Sequence, residues 1–436
     1  MKLAVSLEAL ALLVSSAMQA VSGATLASSA LSIISTATNP SLTSQLSSAT
    51  ESATPPARTS IFTSVGFPTP VSSSIVPPES GKPDPLAPPG GLNTNGTLPF
   101  YHPLSDFDFQ SLNLALNQEW IELDLFHHGL AQFSDEEFAA AGINAEERAL
   151  IAYMGNQEIG HARLIQNMLG PNNSAKPCTY QYPFTTVREF LDFSQQVTRW
   201  GEAGTIGFIP HLNSRDSAQM LLQTVTTEAR QQMAFRQLEG LFPMPVDFQT
   251  GITQSMTWTL LAPHLVSCPA ENPRINWQNF PALNVTNAPD PTPLFNNTSV
   301  GADNSTSSGN DTTPAITHNS TNPLSFPGRE VFLSWELPGK TVGPNNSYNT
   351  TTAAGPAKFA AWISQLNTTY TLLTDVNGTT AKTTQPSGFV LGDGTSPIFN
   401  GTLFILVTDA NVTVTPSNVT AINPHIVAGP AVYTAG

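Results

Sequence analysis

From Ile151 to Met168 the chain steps by threes and fours through Ile151, Met154, Glu158, His161, Ile165 and Met168. Those positions share one face of a helix. Four of them carry hydrocarbon; the middle two carry a carboxylate and an imidazole. An ionised carboxylate in an apolar seam must be paired, protonated or bound to a cation, because isolated burial of its charge is too costly. The fold therefore has to supply the partners of Glu158 and His161.

Glu-x-x-His at i, i+3 is a ligand pair used by di-metal four-helix bundles. The surrounding sequence has room for such a bundle. Stripes predict helices over residues 105–132, 144–169, 185–209 and 214–239, with Ser134-Asp135-Glu136-Glu137 as a helix start in the link between the first two and Gly170-Pro171 as a stop. The first stripe is Leu112, Leu116, Glu119, Leu123, Phe126 and Leu130; the fourth is Leu221, Val225, Glu228, Gln231, Phe235 and Leu238. Glu119 and Glu228 again stand where apolar side chains are expected. On the third helix the stripe is Phe190, Phe193, Val197, Trp200 and Gly204, and Glu202 lies about 200° around the helix from Trp200. Helix midpoints fall near residues 118, 156, 197 and 226, so Glu119, Glu158, Glu202 and Glu228 each sit within about 7.5 Å of mid-height. Glu122, Asp124, His127 and His128 are read as solvated or at the bundle end.

The connection over residues 171–184 spans roughly 46 Å when extended, longer than the roughly 39 Å of the preceding helix. It permits a third helix parallel to the second, the one-crossover topology. A fifth helical segment is expected over residues 246–265, carrying Trp258. Only Cys178 and Cys268 are present, and a disulfide between them would pin the crossover to the end of the domain.

Several features predict secretion. Residues 1–23 read as a signal peptide: Lys2, an apolar run over residues 4–14 broken by Glu8, then small residues. Residues 24–99 are rich in Ser, Thr, Pro and Ala and predict a disordered, O-glycosylated stalk. Asn-x-Ser/Thr sites begin at Asn95, Asn172, Asn284, Asn296, Asn297, Asn304, Asn310, Asn319, Asn345, Asn349, Asn367, Asn377, Asn400, Asn411 and Asn418, a density that points to a glycosylated surface. No later segment is apolar for long enough to be a transmembrane helix. A formal net charge of -15 with 11% charged residues argues against nucleic acid as a partner, which needs clustered Lys and Arg.

The helical bundle is placed over residues 100–270, a glycosylated linker over 271–322, and a β-rich domain over 323–436. In the last, Trp362, Leu366, Tyr370 and Leu372 occupy one phase of a two-residue period, Leu403 to Val407 reads as a buried strand, and Val412 and Val414 alternate after it. The fold class is thus mixed: an all-α four-helix bundle with one long crossover, followed by a small β-sandwich-like domain. No catalytic constellation is evident in the β region.

The segments Leu114-Ala115-Leu116-Asn117-Gln118-Glu119-Trp120-Ile121-Glu122, Gln157-Glu158-Ile159-Gly160-His161-Ala162 and Thr227-Glu228-Ala229-Arg230-Gln231 resemble the helix signatures of ferritin-like domain proteins, the fungal Rds-type stress-response group above all, which is related to plant desiccation-associated proteins. Phe326-Pro327-Gly328-Arg329, Leu333-Ser334-Trp335-Glu336 and the run from Trp362 to Asn367 are also similar to that group. The resemblance covers residues 100–436. It implies a ferritin-like four-helix domain, a role in stress or nutrient response outside the cytoplasm, and metal ligands at Glu119, Glu158, His161, Glu202 and Glu228 for iron or manganese. Gln231 departs from the pattern, standing where a second Glu-x-x-His needs histidine.

Three functions remain open on the sequence: a secreted stress-response protein with an iron or manganese site in the bundle, a metal-free structural or adhesive glycoprotein binding cell-wall polysaccharide, and a di-metal oxidase or peroxidase. Under the metal-free reading, Glu158 and His161 form a buried pair neutralised by Arg163 or Arg230.

Overall fold

The computed structural model describes residues 101–291, 323–387 and 401–436, all within the unit Pro68–Gly436. The predicted signal peptide and stalk, most of the linker, and the sequons at Asn95, Asn296, Asn297, Asn304, Asn310, Asn319 and Asn400 lie outside the described residues.

The helical half contains α1 (Asp106–Gln132), α2 (Asp135–Ala140), α3 (Ala145–Leu169), α4 (Val187–Phe208), α5 (Arg215–Leu238) and α6 (Gln254–Leu261). Side-chain caps mark their starts where the sequence places them. Ser134 and Asn144 each form a capping box, with Glu137 and Glu147 reaching back, and Thr186 does the same with Glu189 at α4. The expected fifth helix is shorter than predicted: it begins only after Thr253, which caps it.

Hydrogen bonds at the two ends of the bundle define its topology. At one end Asn113, near the start of α1, donates to the Asn173 carbonyl and accepts from Ala175 N–H just beyond α3. At the same end the Asp108 carboxylate accepts from Asn213 and Ser214 N–H at the start of α5. At the other end Arg188, at the start of α4, donates to the Ala141 carbonyl before α3 and to the Leu238 carbonyl that closes α5. The chain between α3 and α4 therefore runs the length of the bundle, and α3 and α4 are parallel. This is the one-crossover arrangement of ferritin-like domains.

The crossover is tied along its course. Trp120 Nε1 donates to the Ala175 carbonyl, β1 (Thr179–Tyr180) pairs with β2 (Leu265–Ser267), and Tyr182 donates to Asp124 at 2.6 Å. Cys178 and Cys268 form the disulfide, with an S–S distance of 2.00 Å and a sequence separation of 90. Closing a loop of that size stabilises the fold by about 4 to 5 kcal/mol through loss of unfolded-chain entropy. Replacing both cysteines by serine is expected to lower the urea-unfolding free energy by about that amount. A loss below about 1 kcal/mol would mean that strand pairing alone holds the crossover.

The C-terminal half is a sandwich of two antiparallel four-stranded sheets. One has the order β3 (Leu283–Val285), β4 (Glu330–Trp335), β10 (Thr380–Thr384), β9 (Thr374–Asn377); the other runs β12 (Ile426–Thr434), β11 (Thr402–Thr408), β7 (Phe359–Ser364), β8 (Asn367–Leu372). A short hairpin, β5 (Thr341–Val342) with β6 (Tyr348–Asn349), stands apart. The two-residue period assigns the faces. On β11, Leu403, Ile405 and Val407 join the core between the sheets, while Phe404 and Leu406 pack with the helical core; on β7, Trp362 turns into the sandwich and Ala361 and Ile363 toward the helices. Strand β11 is buried on both faces, which is why it reads as an uninterrupted apolar run.

Three expectations are corrected. The linker over 271–322 is folded through its described part: Trp277 and Phe280 are core residues, and β3 is a strand of the first sheet. The alternation from Trp362 to Leu372 spans two strands, because the chain turns at Gln365, which adopts φ 49°, and pairs back so that Trp362 faces Thr369. Val412 and Val414 follow β11 outside any strand.

Candidate metal centre

Three helices deliver the site. The stripe positions of α3 are buried, with Glu158 fully enclosed and His161 8% exposed; Glu119 of α1 and Glu228 of α5 are 3% and 2% exposed. One ligand atom from each of Glu119, Glu158, His161 and Glu228 lies within 4.8 Å of all the others. His161 Nδ1 stands 3.0 Å from Glu158 Oε2, 3.2 Å from Glu119 Oε2 and 3.8 Å from Glu228 Oε1. Gln231, one turn beyond Glu228, donates from Nε2 to Glu158 Oε1 at 2.5 Å and to Gln157 Oε1 at 3.2 Å. It takes the place of a second imidazole and orients the carboxylate opposite.

Glu202 is not part of this cluster. Its carboxylate is buried against Arg199, with Oε2 3.1 Å from Nη1, and Arg199 Nε donates to the Thr402 carbonyl of β11. Glu202 therefore faces the sandwich, as its angular offset from the Trp200 stripe implies. From α4 the site receives an indirect contribution. Trp200 Nε1 donates to Gln118 Oε1 at 2.9 Å, and Gln118 Nε2 donates to both the Val197 carbonyl and Glu122 Oε1 at 3.0 Å. The two helices meet closely enough that a Cβ at Gly201 would stand 2.7 Å from Gln118 Nε2.

Glu122, read from the sequence as solvated, is fully buried beside the cluster. The signal was present: Glu119-x-x-Glu122 repeats on α1 the i, i+3 spacing of Glu158-x-x-His161 on α3. Asp124, His127 and His128 are exposed, as expected. Arg163 and Arg230, the alternative neutralising partners, are exposed as well.

The electrostatics are those of buried carboxyl groups too crowded to be ionised together without a cation. Burial pushes the Glu119 carboxyl up to about 8, with His161 opposing the shift and Glu158 adding to it. Burial raises Glu122 and Glu228 well above the ordinary carboxylate range, and their mutual repulsion and that of Glu119 and Glu158 act in the same direction. Burial alone would lower the His161 pKa, but Glu119 and Glu158 overcome it and raise the imidazole to about 12. One imidazolium cannot balance four carboxylates. Glu122 Oε2, Glu228 Oε2 and Gln231 Oε1 are buried without a hydrogen-bond partner, and Glu119 Oε2, despite its nearness to His161, accepts no aligned hydrogen bond. Buried carboxylate oxygens of that kind are either protonated or ligate a cation. The donor set, carboxylate oxygens with one imidazole nitrogen, is hard and oxygen-rich and fits a metal ion.

Comparison with known proteins agrees with this fold. Residues 107–241 match the family described as Ferritin-like domain. Protein rds1 of Schizosaccharomyces pombe is 53% identical over 352 residues, 80% of this chain and 86% of that protein.

Proposed function

This chain belongs to the Rds-type family of fungal ferritin-like proteins, and on that premise we propose that it is a secreted stress-response protein that binds iron or manganese in the middle of its helical bundle. The observation that carries the metal reading is the convergence of Glu119, Glu158, His161 and Glu228 on one buried point with carboxylate oxygens left unpartnered. Those four residues would hold the ion, which would supply the positive charge the bundle itself lacks. Gln118 and Gln231 orient Glu122 and Glu158 through their amide N–H groups. Iron and manganese suit oxygen-rich ligand sets better than copper(I) does.

Secretion is supported by the disulfide, since such bonds persist in oxidising compartments. It is also supported by the sequons: Asn172, Asn284, Asn345, Asn349, Asn367, Asn377, Asn411 and Asn418, every sequon asparagine among the described residues, are exposed. Among the described residues no helix is long and apolar enough to cross a membrane.

Elemental analysis of protein purified without chelators tests the metal reading. Wild type is expected to carry at least one iron or manganese ion per chain and Glu158→Ala only traces. Trace metal in both, after incubation with either ion, would leave a metal-free bundle in place of this proposal.

A further inference from the structure

A cavity of about 160 Å³ lies outside the carboxylate cluster, bounded by α6, the chain after the disulfide and the turn of the β5–β6 hairpin. Asn117 of α1 also lines it. Asn117 and Glu119 are two residues apart, about 200° around the helix, so the cavity and the metal centre lie against different faces of α1.

Its chemistry is one-sided. Among the described residues, Arg274 is the only charged one in the lining, and no carboxylate contributes to it. Trp258, 1% exposed, has an indole N–H with no hydrogen-bond partner, although buried donors are ordinarily satisfied. The Tyr348 hydroxyl accepts from Ile275 N–H at 3.1 Å and retains its own proton to donate. These three side chains are contiguous: the Arg274 guanidinium lies 4.0 Å from the Tyr348 ring centre, and the Tyr348 and Trp258 rings meet edge to face at 5.1 Å. In size the cavity compares with the roughly 150 Å³ apolar cavity that accommodates benzene.

We propose that this cavity binds a small monocyclic carboxylate, its ring packed against the aromatic corner of Trp258 and Tyr348 and its charge recognised by Arg274 with the Tyr348 hydroxyl. Donors without a neighbouring carboxylate select an acceptor-rich anion, and a guanidinium pairs with a carboxylate in a planar, two-point fashion. The aromatic corner favours a ring over a short-chain acid.

Benzoate is a suitable probe, titrated calorimetrically into the full-length protein at neutral pH. Saturable binding at one benzoate per chain is expected, with acetate and benzyl alcohol at least tenfold weaker. Arg274→Met, a change at an exposed side chain, is expected to weaken benzoate at least tenfold while the protein stays folded, as read by circular dichroism. The assignment is overturned if benzoate shows no saturable binding, if Arg274→Met binds it as wild type does, or if benzyl alcohol binds equally well.

Discussion

Glu228→Gln is expected to stabilise the metal-free protein and to weaken its hold on metal. The change removes an ionisable group whose Oε2 is buried without a partner and keeps its shape. In the metal-free state the carboxyls of Glu119, Glu122 and Glu228 are raised by burial. A raised carboxyl keeps its proton in the folded state at pH values where the unfolded chain has released it. For Glu119 that window runs from 4.5 to about 8, and through it stability falls as pH rises, because the folded state binds more protons. His161, raised from 6.5 to about 12, adds a slope of the same sign: its stabilising contribution is whole below 6.5 and is lost toward the raised value. Each proton of difference is worth about 1.4 kcal/mol per pH unit.

Chelator-treated wild type should therefore melt at progressively lower temperature from pH 5 to pH 8. Glu228→Gln should follow a shallower slope and gain about 1 to 3 kcal/mol at pH 8. Its affinity for manganese should fall on the order of a hundredfold, since a neutral amide replaces a charged ligand. A variant less stable than wild type at pH 8 in the absence of metal would mean that Glu228 is already well compensated in the bundle.

Arg199→Met is expected to cost about 3 to 5 kcal/mol, the penalty of leaving the Glu202 carboxylate buried without its counter-charge. Glu202 is fully enclosed and Arg199 is 2% exposed, so water cannot replace the lost partner. The substitution also removes the hydrogen bond from Arg199 Nε to the Thr402 carbonyl and the guanidinium lying 5.8 Å from the Phe404 ring, contacts that join α4 to the sandwich. Replacing both members, Arg199→Met with Glu202→Met, should recover most of the loss, because desolvation of a buried ion pair offsets much of its attraction. Urea unfolding of the two variants separates these effects. Equal losses would assign the cost to the Thr402 and Phe404 contacts in place of the unpaired charge.

The sequence exposed the bundle and most of its polar centre because periodicity records which way a side chain faces relative to its own helix. Glu119, Glu158, His161 and Glu228 interrupt apolar stripes, and they meet in space. Periodicity does not record what covers the other faces. α4 is buried almost all round, so Glu202 could be enclosed without pointing at the bundle centre, and its partner came from the same helix, with β11 closing over both. Glu122 was obscured for the same reason: α4 covers its face of α1, where Trp200 bonds to Gln118, the neighbour of Glu122 on α1. In the sandwich, hydrophobic alternation identified strand residues, but the turn at Gln365 left no glycine or proline in the sequence to announce that the chain doubles back.

The measurement that bears most directly on the metal centre is anomalous diffraction from crystals grown with manganese. The account predicts a manganese peak between α1, α3 and α5, with oxygens of Glu119, Glu158 and Glu228 and a nitrogen of His161 as ligands. Anomalous density only at surface carboxylates, with these four side chains grouped around an ion-free centre, would contradict it.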